Sequence, residues 1–362
     1  METVFWTVSA EKPEQDIIKQ AAEIIRRGGL VAFPTETVYG LGADGLNPEA
    51  VRRIFTAKGR PSDNPLILHV ARQEEVFCLA AEVKEQAQEL MRRFWPGPLT
   101  LVLPKADCIP DEVTAGLDTV AVRMPRHPVA LALIAAGGVP LAAPSANRSG
   151  YPSPTTGRHV YADLAGRIEA VLESGPTGVG LESTVLDLSG EVPAILRPGG
   201  ITREELQAVL GTVMIDPGLL DPRQKPKAPG MKYTHYAPRA AVYLLRGPSR
   251  EKKALKIREL VGESARKGEK VGLLLTSETW QCFRDLSASR QRQDLPENVT
   301  YARDLGSSAH LEEIAHVLYG ELRNCDAAEV DLIYTETYQE EGLGAALMNR
   351  LLKSAGYKII DT

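Results

Sequence analysis

Cysteine is scarce in this sequence, and the few cysteines present form no pattern. The four, at positions 78, 108, 282 and 325, are widely spaced in a chain of 362 residues, and no two stand in a C-x-x-C pair. This spacing excludes a zinc site built from cysteine alone and offers no disulfide framework. The chain also lacks the roughly 18 consecutive apolar residues that span a bilayer, and its amino terminus lacks a signal-peptide pattern. We therefore expect a cytoplasmic protein with no membrane contact.

An excess of basic residues is missing as well. Lysine and arginine together number 42, against 47 aspartate and glutamate residues, which gives a net charge of −5. The first 210 residues carry 20 basic and 26 acidic side chains. Proteins whose main partner is a nucleic acid concentrate positive charge. The charge balance therefore counts against that class, although it allows a local basic pocket.

Nucleotide-binding signatures are absent or incomplete. No G-x-x-x-x-G-K-[ST] occurs, so any ATP site does not use a P-loop. Gly40, Gly42 and Gly45 form a G-x-G-x-x-G between a predicted strand and a predicted helix. The helix begins only after Asn47, which is too late for the third glycine to pack against it. We interpret these glycines as a turn that shapes another kind of site, with a dinucleotide site as the alternative.

Predicted strands and helices alternate along the chain, which is typical of α/β proteins. Residues 1–210 mix strands and helices throughout, which predicts an α/β or α+β core, and they include one long predicted helix over residues 73–94. Residues 211–239 contain five prolines and a basic excess, and they predict a linker. Residues 240–362 alternate strands with helices in the manner of parallel βαβ units, and they predict a smaller Rossmann-like domain.

The segment KGRPSDNPLILH, residues 58–69, concentrates chemically active side chains. Lys58, Arg60 and Asn64 lie in a loop punctuated by proline, and His69 lies on the strand that follows. Cations placed this closely can clamp a polyphosphate. Strand alternation places His69 and Ile67 on one face of that strand. A solvated loop followed by an unremarkable histidine is the alternative.

Three further segments carry polar side chains in apolar or glycine-rich surroundings. Arg123 lies in the apolar strand TVAVRMP and needs either a structural carboxylate or an anionic ligand. Residues 143–153, APSANRSGYPS, form a loop of small hydroxyl and amide residues that suits an anion. Ser183 lacks the G-x-S-x-G elbow of a nucleophile, so it is interpreted, with the nearby Arg197, as orienting a ligand. Together these features favour nucleotidyl or phosphoryl transfer by positioning and charge stabilisation.

Six motifs in order give the first 210 residues a resemblance to the YrdC-type family. They are PTETVYGLG at 34–42, KGRPSDNPLILH at 58–69, WPGPLTLVL at 95–103, VAVRMPRHP at 120–128, APSANRSG at 143–150 and LESTVLDL at 181–188. The linker motif KYTHYAP and the extra carboxyl-terminal domain resemble the long, two-domain form of the family. This resemblance implies an open, twisted, mixed sheet with helices for residues 1–210 and a lid formed by the linker, residues 211–239. It also implies an enzyme that makes threonylcarbamoyl-AMP and pyrophosphate from L-threonine, bicarbonate or carbon dioxide, and ATP with Mg²⁺.

The resemblance also implies roles for individual residues. The family's threonine pocket falls on Thr37, His69, Arg123 and Ser183. Its ATP site falls on Lys58, Arg60, Asn64, Thr119, Ala143 (through its backbone), Ser145, Ser153, Arg197 and, from the linker, Tyr236. Lys58 and Arg60 are the expected catalytic cations, and no protein metal site is expected because magnesium arrives with ATP.

The family's product is used to modify the tRNA adenosine next to the anticodon. The implied partners are therefore a downstream tRNA threonylcarbamoyl transferase complex and, through a weak contact, tRNA itself. Two alternatives remain from the residues. The first is an RNA-binding module of the same fold without synthase activity. The second is a carbamoyl-transfer maturation enzyme, although the zinc-finger-like cysteines of that class are missing here.

Overall fold

The computed structural model of the protein describes residues 1–219, 236–285 and 295–362. The chain divides into two compact units, Met1–Ser149 with Ser153–Tyr233, and Gly150–Pro152 with Thr234–Thr362. Most of the predicted linker, including Lys232, Tyr233 and His235, lies outside the described residues. The predicted domain boundaries at 210 and 240 therefore stay a prediction.

The first unit contains a mixed sheet of eleven strands in the order β1-β8-β2-β3-β7-β4-β6-β5-β9-β10-β11. The strands are β1 (Val4–Thr7), β2 (Val31–Phe33), β3 (Gly40–Asp44), β4 (Ile67–His69), β5 (Leu99–Pro104), β6 (Thr119–Arg123), β7 (Leu141–Ala142), β8 (Ala170–Glu173), β9 (Thr184–Asp187), β10 (Ala194–Arg197) and β11 (Met214–Ile215). The helices are α1 (Gln15–Arg26), α2 (Pro48–Lys58), α3 (Val76–Leu79), α4 (Glu85–Phe94), α5 (Asp111–Thr114), α6 (Pro128–Gly137), α7 (Gly157–Leu164) and α8 (Arg203–Leu210). The sheet contains both parallel and antiparallel pairs, which confirms the predicted mixed α/β class.

Apolar side chains of the first unit separate onto the two faces of its sheet by strand alternation. On β4, Leu68 belongs to the main core, whereas Ile67 belongs to a small cluster on the opposite face. Helices α1 and α6 pack over Phe33 and Leu141 on part of that opposite face. The remaining part carries the small apolar cluster Ile67, Val102, Ala121, Val185 and Leu196. This cluster becomes the apolar base of the candidate site.

The second unit contains five parallel strands in the order β14-β13-β15-β12-β16. Its strands are β12 (Ala241–Arg246), β13 (Val271–Leu275), β14 (Val299–Asp304), β15 (Leu332–Glu336) and β16 (Ile359–Asp361), and its helices are α9 (Arg250–Lys267), α10 (Ser277–Asp285), α11 (Leu311–Ala327) and α12 (Leu343–Ser354). Helices α9 and α10 share one core with Leu245, Leu273 and Leu275 of the sheet. The predicted Rossmann-like parallel architecture is confirmed.

Helix capping follows the predicted chemistry, but one predicted helix is wrong. Asn47 caps α2 through its side chain, with Pro48 at the first helical position, and Thr202 caps α8 in a capping box with Glu205. The single helix predicted over residues 73–94 is instead a short turn, α3, a break and α4. The break arises because Ala80 and Ala81 leave the helix to pair with the end of β5.

Two smaller features complete the fold. Residues 214–215, at the start of the predicted linker, pair with β10 as the edge strand β11 and so belong to the first sheet. In the parts of the chain that the structure describes, no helix combines the length and the apolar composition needed to cross a lipid bilayer.

Candidate active site

Polar side chains lie together at one end of five neighbouring strands of the first sheet, β4, β6, β5, β9 and β10. His69 and Arg123 end two parallel strands and are paired in register. Thr100 lies at the start of β5, Ser183 directly precedes β9, and Arg197 ends β10. These positions lie at the same end of the sheet because β5 runs antiparallel to β6, β9 runs parallel to β5, and β10 runs antiparallel to β9. All five side chains are buried.

Arg123 is held by three different groups. Its Nε donates to the Gly97 carbonyl (3.2 Å) and its Nη1 donates to the Thr37 hydroxyl (3.0 Å). Its Nη2 lies 2.8 Å from Glu36 Oε1 in an ion pair in which both side chains are almost fully buried. The carboxylate of Glu36 accepts no hydrogen bond from the described residues. A guanidinium has five N–H donors, so two remain for an anionic ligand. Arg123 therefore has a structural carboxylate as its partner and can also bind an anionic ligand, which were the two alternatives drawn from the sequence.

His69 is an uncharged imidazole throughout the physiological range. Burial, and then the neighbouring Arg123 guanidinium, lower its pKa to about 3. Its Nδ1 lies 3.2 Å from the Ile67 carbonyl, and its ring meets Phe33 edge to face. A group with this pKa is too weak a base to remove a proton from an amine near pH 7. His69 is therefore suited to orienting a ligand by hydrogen bonding.

A pH experiment tests the neutral state of His69. Its pKa is lower in the folded protein than in the unfolded chain (about 6.5), so only the unfolded chain gains this proton as pH falls below 6.5, and the folded state loses stability. Between pH 7 and pH 5 the loss from this residue is about 2 kcal/mol. We expect the melting temperature of His69→Gln to fall less between pH 7 and pH 5 than that of the unchanged protein. The matched control is His310→Gln, at an exposed position, whose melting temperature should fall as in the unchanged protein. An unchanged fall would contradict a buried, neutral His69.

Ser183 and Arg197 form a second buried group beside the first. Arg197 donates from Nε to the Ser183 carbonyl and from Nη2 to the Ser183 hydroxyl, both at 3.1 Å. The Ser183 hydroxyl also lies 2.8 Å from the hydroxyl of Thr100. Gly199 packs so closely that an added Cβ would lie 2.2 Å from the Thr184 backbone nitrogen. The glycine-rich turn after Arg197 is therefore fitted against the segment that carries Ser183.

The loop of residues 34–39 is joined by backbone hydrogen bonds to two other loops. Val179 and Gly180 donate to the carbonyls of Glu36 and Thr37, at 2.8 and 3.2 Å. On the other side, Tyr39 donates to Pro154 and accepts from Ala146. These bonds place the segment with Thr37 between the loops around residues 145 and 180. A further contact joins those two loops, because the Ser153 hydroxyl, fully buried, donates to Glu182.

Lys58 organises the neighbouring loop. It is the last residue of α2, and its ammonium donates to the carbonyls of Ser145 and Asn147 and approaches Asn147 Oδ1 at 3.5 Å. The Ser145 hydroxyl donates to the same Oδ1 at 2.5 Å. An ammonium has three N–H donors. Lys58 therefore shapes the 145–147 loop, and its direct contact with phosphate stays a prediction.

Arg60 and Asn64 lie where the same loop enters β4. Arg60 Nη2 donates to the carbonyls of Asn64 and Pro65, both at 3.2 Å, and its guanidinium lies 6.0 Å from the centre of the Phe55 ring. The Asn64 side chain is fully buried, and neither its oxygen nor its amide nitrogen has a hydrogen-bond partner among the described residues. A buried amide without partners costs stability. Such a residue is typical of a ligand site.

Asn64 can be tested through stability and activity together. Because its buried amide lacks partners, Asn64→Leu should stabilise the ligand-free protein by about 1 kcal/mol, or about 2–4 °C in melting temperature. The same variant should raise the KM for ATP by about tenfold through a lost hydrogen bond. Asn147→Leu, at a buried asparagine whose side chain is hydrogen-bonded, is the matched control and should destabilise. A destabilised Asn64→Leu with normal ATP affinity would show that Asn64 is structural.

Three other predicted residues have distinct environments. Thr119 begins β6 and shares the face of Arg123 by alternation, at the opposite end of the strand. Ala143 donates its backbone N–H to the Ile67 carbonyl (2.9 Å), so only its carbonyl remains for the predicted backbone contact. Tyr236 belongs to the second unit, where it has a positive φ of 66°, stacks on Tyr319 and lies under Arg350. Its predicted contact with the nucleotide stays a prediction.

The sequence did not point to three residues that the structure places in the site. These are Glu36, which pairs with Arg123, Thr100, which contacts Ser183, and Asn147, which receives Lys58. Thr100 had a recognisable signal, because it is the one polar residue in the apolar strand LTLVL. Within residues 1–219, 236–285 and 295–362, no group of three or more His, Cys, Asp and Glu side chains is arranged to hold a metal ion.

Family models match both units of the chain. A model described as telomere recombination, covering Sua5, YciO and YrdC proteins, matches residues 23–199. A second model, described as the C-terminal domain of threonylcarbamoyl-AMP synthase, matches residues 201–356. The two matches cover the chain in the order predicted from the sequence motifs.

Curated relatives and solved structures extend over the full length. The threonylcarbamoyl-AMP synthase of Bacillus subtilis is 49% identical over 95% of this chain and 94% of its own. That of Pyrococcus abyssi is 49% identical over 97% of each chain. The crystal structure of P. abyssi Sua5 complexed with L-threonine matches with a TM-score of 0.91 at 47% identity, over 99% of this chain and 100% of that one. A threonylcarbamoyl-AMP synthase from Halorhodospira halophila matches only 50% of this chain at 39% identity, over 93% of its own length. This chain therefore belongs to the Sua5, YciO and YrdC family, in the two-domain form that carries the C-terminal domain of threonylcarbamoyl-AMP synthase.

Proposed function

We propose that this protein is an L-threonylcarbamoyladenylate synthase. It joins L-threonine, bicarbonate or carbon dioxide, and ATP into threonylcarbamoyl-AMP and releases pyrophosphate, with one water as a further product when bicarbonate supplies the carbon. The reaction class is nucleotidyl transfer. The product supplies a separate tRNA threonylcarbamoyl transferase complex, which modifies the adenosine next to the anticodon.

The observation that carries the proposal is the buried polar surface on one face of the first sheet. A guanidinium, a neutral imidazole and two hydroxyls lie at one end of this surface, at Arg123, His69, Thr37 and Ser183. Burying so many polar groups is costly unless a ligand or a partner engages them. The full-length relative whose structure is described as complexed with L-threonine supports threonine as a substrate, and we place it at this end because of the groups gathered there.

Each group at this end suits one part of an amino acid. The two remaining donors of Arg123 match a carboxylate, for which a planar guanidinium is the best protein partner. Glu36, whose buried carboxylate has the ion pair with Arg123 as its polar contact among the described residues, is an acceptor for an N–H or O–H of the substrate. The neutral His69 holds the substrate by hydrogen bonding without taking its proton. The threonine amine must be uncharged to attack carbon dioxide. Because His69 is too weak a base to take the proton of the amine, this end of the surface positions the amine and does not deprotonate it.

The other end of the surface suits a triphosphate. Arg60 and the Asn64 amide lie at the amino end of β4, beside the loop that Lys58 braces. In the reaction, the N-carboxylate of threonine attacks the α-phosphorus of ATP, a new O–P bond forms, and the bond to pyrophosphate breaks. Negative charge rises on the phosphate oxygens in this transition state, and Arg60 and Arg197 stabilise it electrostatically.

Magnesium fits this site as a companion of the nucleotide. Mg²⁺ usually keeps several waters and is bound through substrate phosphates with few protein carboxylates. When bound to the triphosphate it supplies charge neutralisation. The protein groups that would face the phosphates are Arg60, Asn64 and the 145–147 loop.

A substrate-dependence assay tests the proposed function. Pyrophosphate release from ATP should require both threonine and bicarbonate, and serine should support it poorly. Release that is independent of bicarbonate would contradict carbamate formation. An RNA-binding module without synthase activity would release no pyrophosphate under any of these conditions, and it would instead show salt-dependent retardation of tRNA.

A further inference from the structure

A cleft of about 260 Å³ opens in the second unit, at the carboxyl ends of its parallel strands. From β12 the chain moves to β13 and β14 in one direction across the sheet, and from β14 it returns to β15 and β16 in the other. The loops that leave the neighbouring strands β13 and β15 therefore diverge. In open parallel sheets, ligands bind in the crevice that such a reversal creates.

The residues that line this cleft follow four of the strands, and Ser308 and Leu311 are those that follow β14. Thr276 directly follows β13, and Thr337 and Tyr338 follow β15. Arg250 and Lys253 lie on the first turn of α9, the helix after β12. None of these residues belongs to the proposed synthase site, so the cleft needs its own explanation.

A buried carboxylate at the base of the cleft fixes one of the two cations. Glu336, fully buried, accepts hydrogen bonds from the backbone N–H and the hydroxyl of Thr276 (2.7 and 2.9 Å) and from the hydroxyl of Thr279 (2.7 Å). Its other contact is an ion pair with Lys253, at 2.6 Å. Lys253 is therefore held in place and its charge is balanced within the protein.

Arg250 keeps its charge available. Its guanidinium makes no hydrogen bond or ion pair to the described residues. Of the nearby carboxylates, Glu251 bonds to its own backbone N–H and to Ser249, which lower its pKa together with the charge of Arg250, and Glu278 accepts from Ser307 and Ser308. The cleft lining, with Arg250, Lys253 and Glu336 as its charged members, therefore has one net positive charge.

We propose that this cleft binds a small phosphate monoester, with the phosphate at Arg250 and Lys253 and the rest of the molecule against Thr337 and Tyr338. An Arg fork beside a Lys ammonium favours phosphate over a carboxylate, because a phosphate offers three acceptor oxygens and more charge. The volume of about 260 Å³ lies just below the ~300–1,000 Å³ of ordinary ligand pockets, which suits a small metabolite. The turn after β12, RGPSR, has no G-x-G-x-x-G, so a dinucleotide is not the ligand.

Hydrogen exchange of the full-length protein with glycerol phosphate as the probe tests this proposal. The probe should slow amide exchange in peptides covering 247–256 and 336–345. Arg250→Gln should weaken this effect by about tenfold or more, as expected for a lost charged hydrogen bond. Arg266→Gln, the same change in the last turn of the same helix at an exposed position, is the matched control and should bind normally.

Three results would overturn the assignment. They are no protection of these peptides in large probe excess, equal protection in both variants, and stronger protection by glycerate, the corresponding carboxylate, than by glycerol phosphate. Synthase activity takes no part in this measurement. Failure of the cleft assignment therefore leaves the proposed reaction of the first unit unaffected.

Discussion

Replacing Arg60 by alanine is expected to lower threonine-dependent pyrophosphate release by about 100-fold or more, the size of effect seen when one transition-state donor is removed. Arg60 lies where the 58–66 loop enters β4, and it uses one nitrogen to hold the carbonyls of Asn64 and Pro65. The positive charge of its guanidinium is what would stabilise the phosphate oxygens. Because the charge on these oxygens grows toward the transition state, the loss should fall mainly on kcat.

The control for the Arg60 variant is the replacement of another arginine on the surface of the neighbouring helix α2. Arg52 on α2 is half-exposed and pairs with Glu49 and Glu112, and exposed pairs of this kind contribute little. Arg52→Ala should leave turnover within a factor of about two, consistent with a change below 0.5 kcal/mol. Near-normal turnover of Arg60→Ala would remove this residue from the reaction. If Arg60→Ala lowers the melting temperature and leaves turnover unchanged, the role of Arg60 is to hold the 58–66 loop in place.

Replacing Arg123 by alanine should have two separable effects. Removing one partner of a buried ion pair leaves the Glu36 carboxylate uncompensated, which costs about 3–5 kcal/mol of stability. The second effect is a loss of threonine affinity of at least about tenfold, because a charge-assisted hydrogen bond to the amino-acid carboxylate disappears. Thermal unfolding measures the first effect, and titration calorimetry measures the second.

A double variant separates the structural role of Arg123 from its binding role. In Arg123→Ala combined with Glu36→Gln, no buried charge is left unpaired, so most of the lost stability should return. Threonine affinity should stay low in this variant if Arg123 binds the substrate. Recovery of threonine affinity together with stability would make the arginine purely structural. Lost ATP affinity with intact threonine affinity would mean that the two pockets are exchanged.

Local chemistry made much of the fold predictable. The cap at Asn47, the capping box at Thr202 and the alternation of Leu68 against His69 all follow from short-range rules. The predicted class of each domain is confirmed for the same reason, since the apolar periodicities are strong. The family motifs then supplied the site residues, which local rules alone left open.

The remaining features depend on contacts between distant parts of the chain. The helix predicted over 73–94 breaks because Ala80 and Ala81 pair with the end of β5, about 25 residues away. Glu36 and Arg123 meet only because the loop after β2 lies against the edge formed by β4 and β6, a neighbour relation that no local pattern specifies.

The mass of the adenylate formed by the purified protein tests the central claim most directly. The protein would be incubated with ATP, labelled bicarbonate and each amino acid in turn, and the products analysed by mass spectrometry. We expect an adenylate with threonine that contains the labelled carbon and is heavier than threonyl-AMP by one carbon dioxide. Formation of threonyl-AMP without the label, or of no adenylate with any amino acid, would contradict the account.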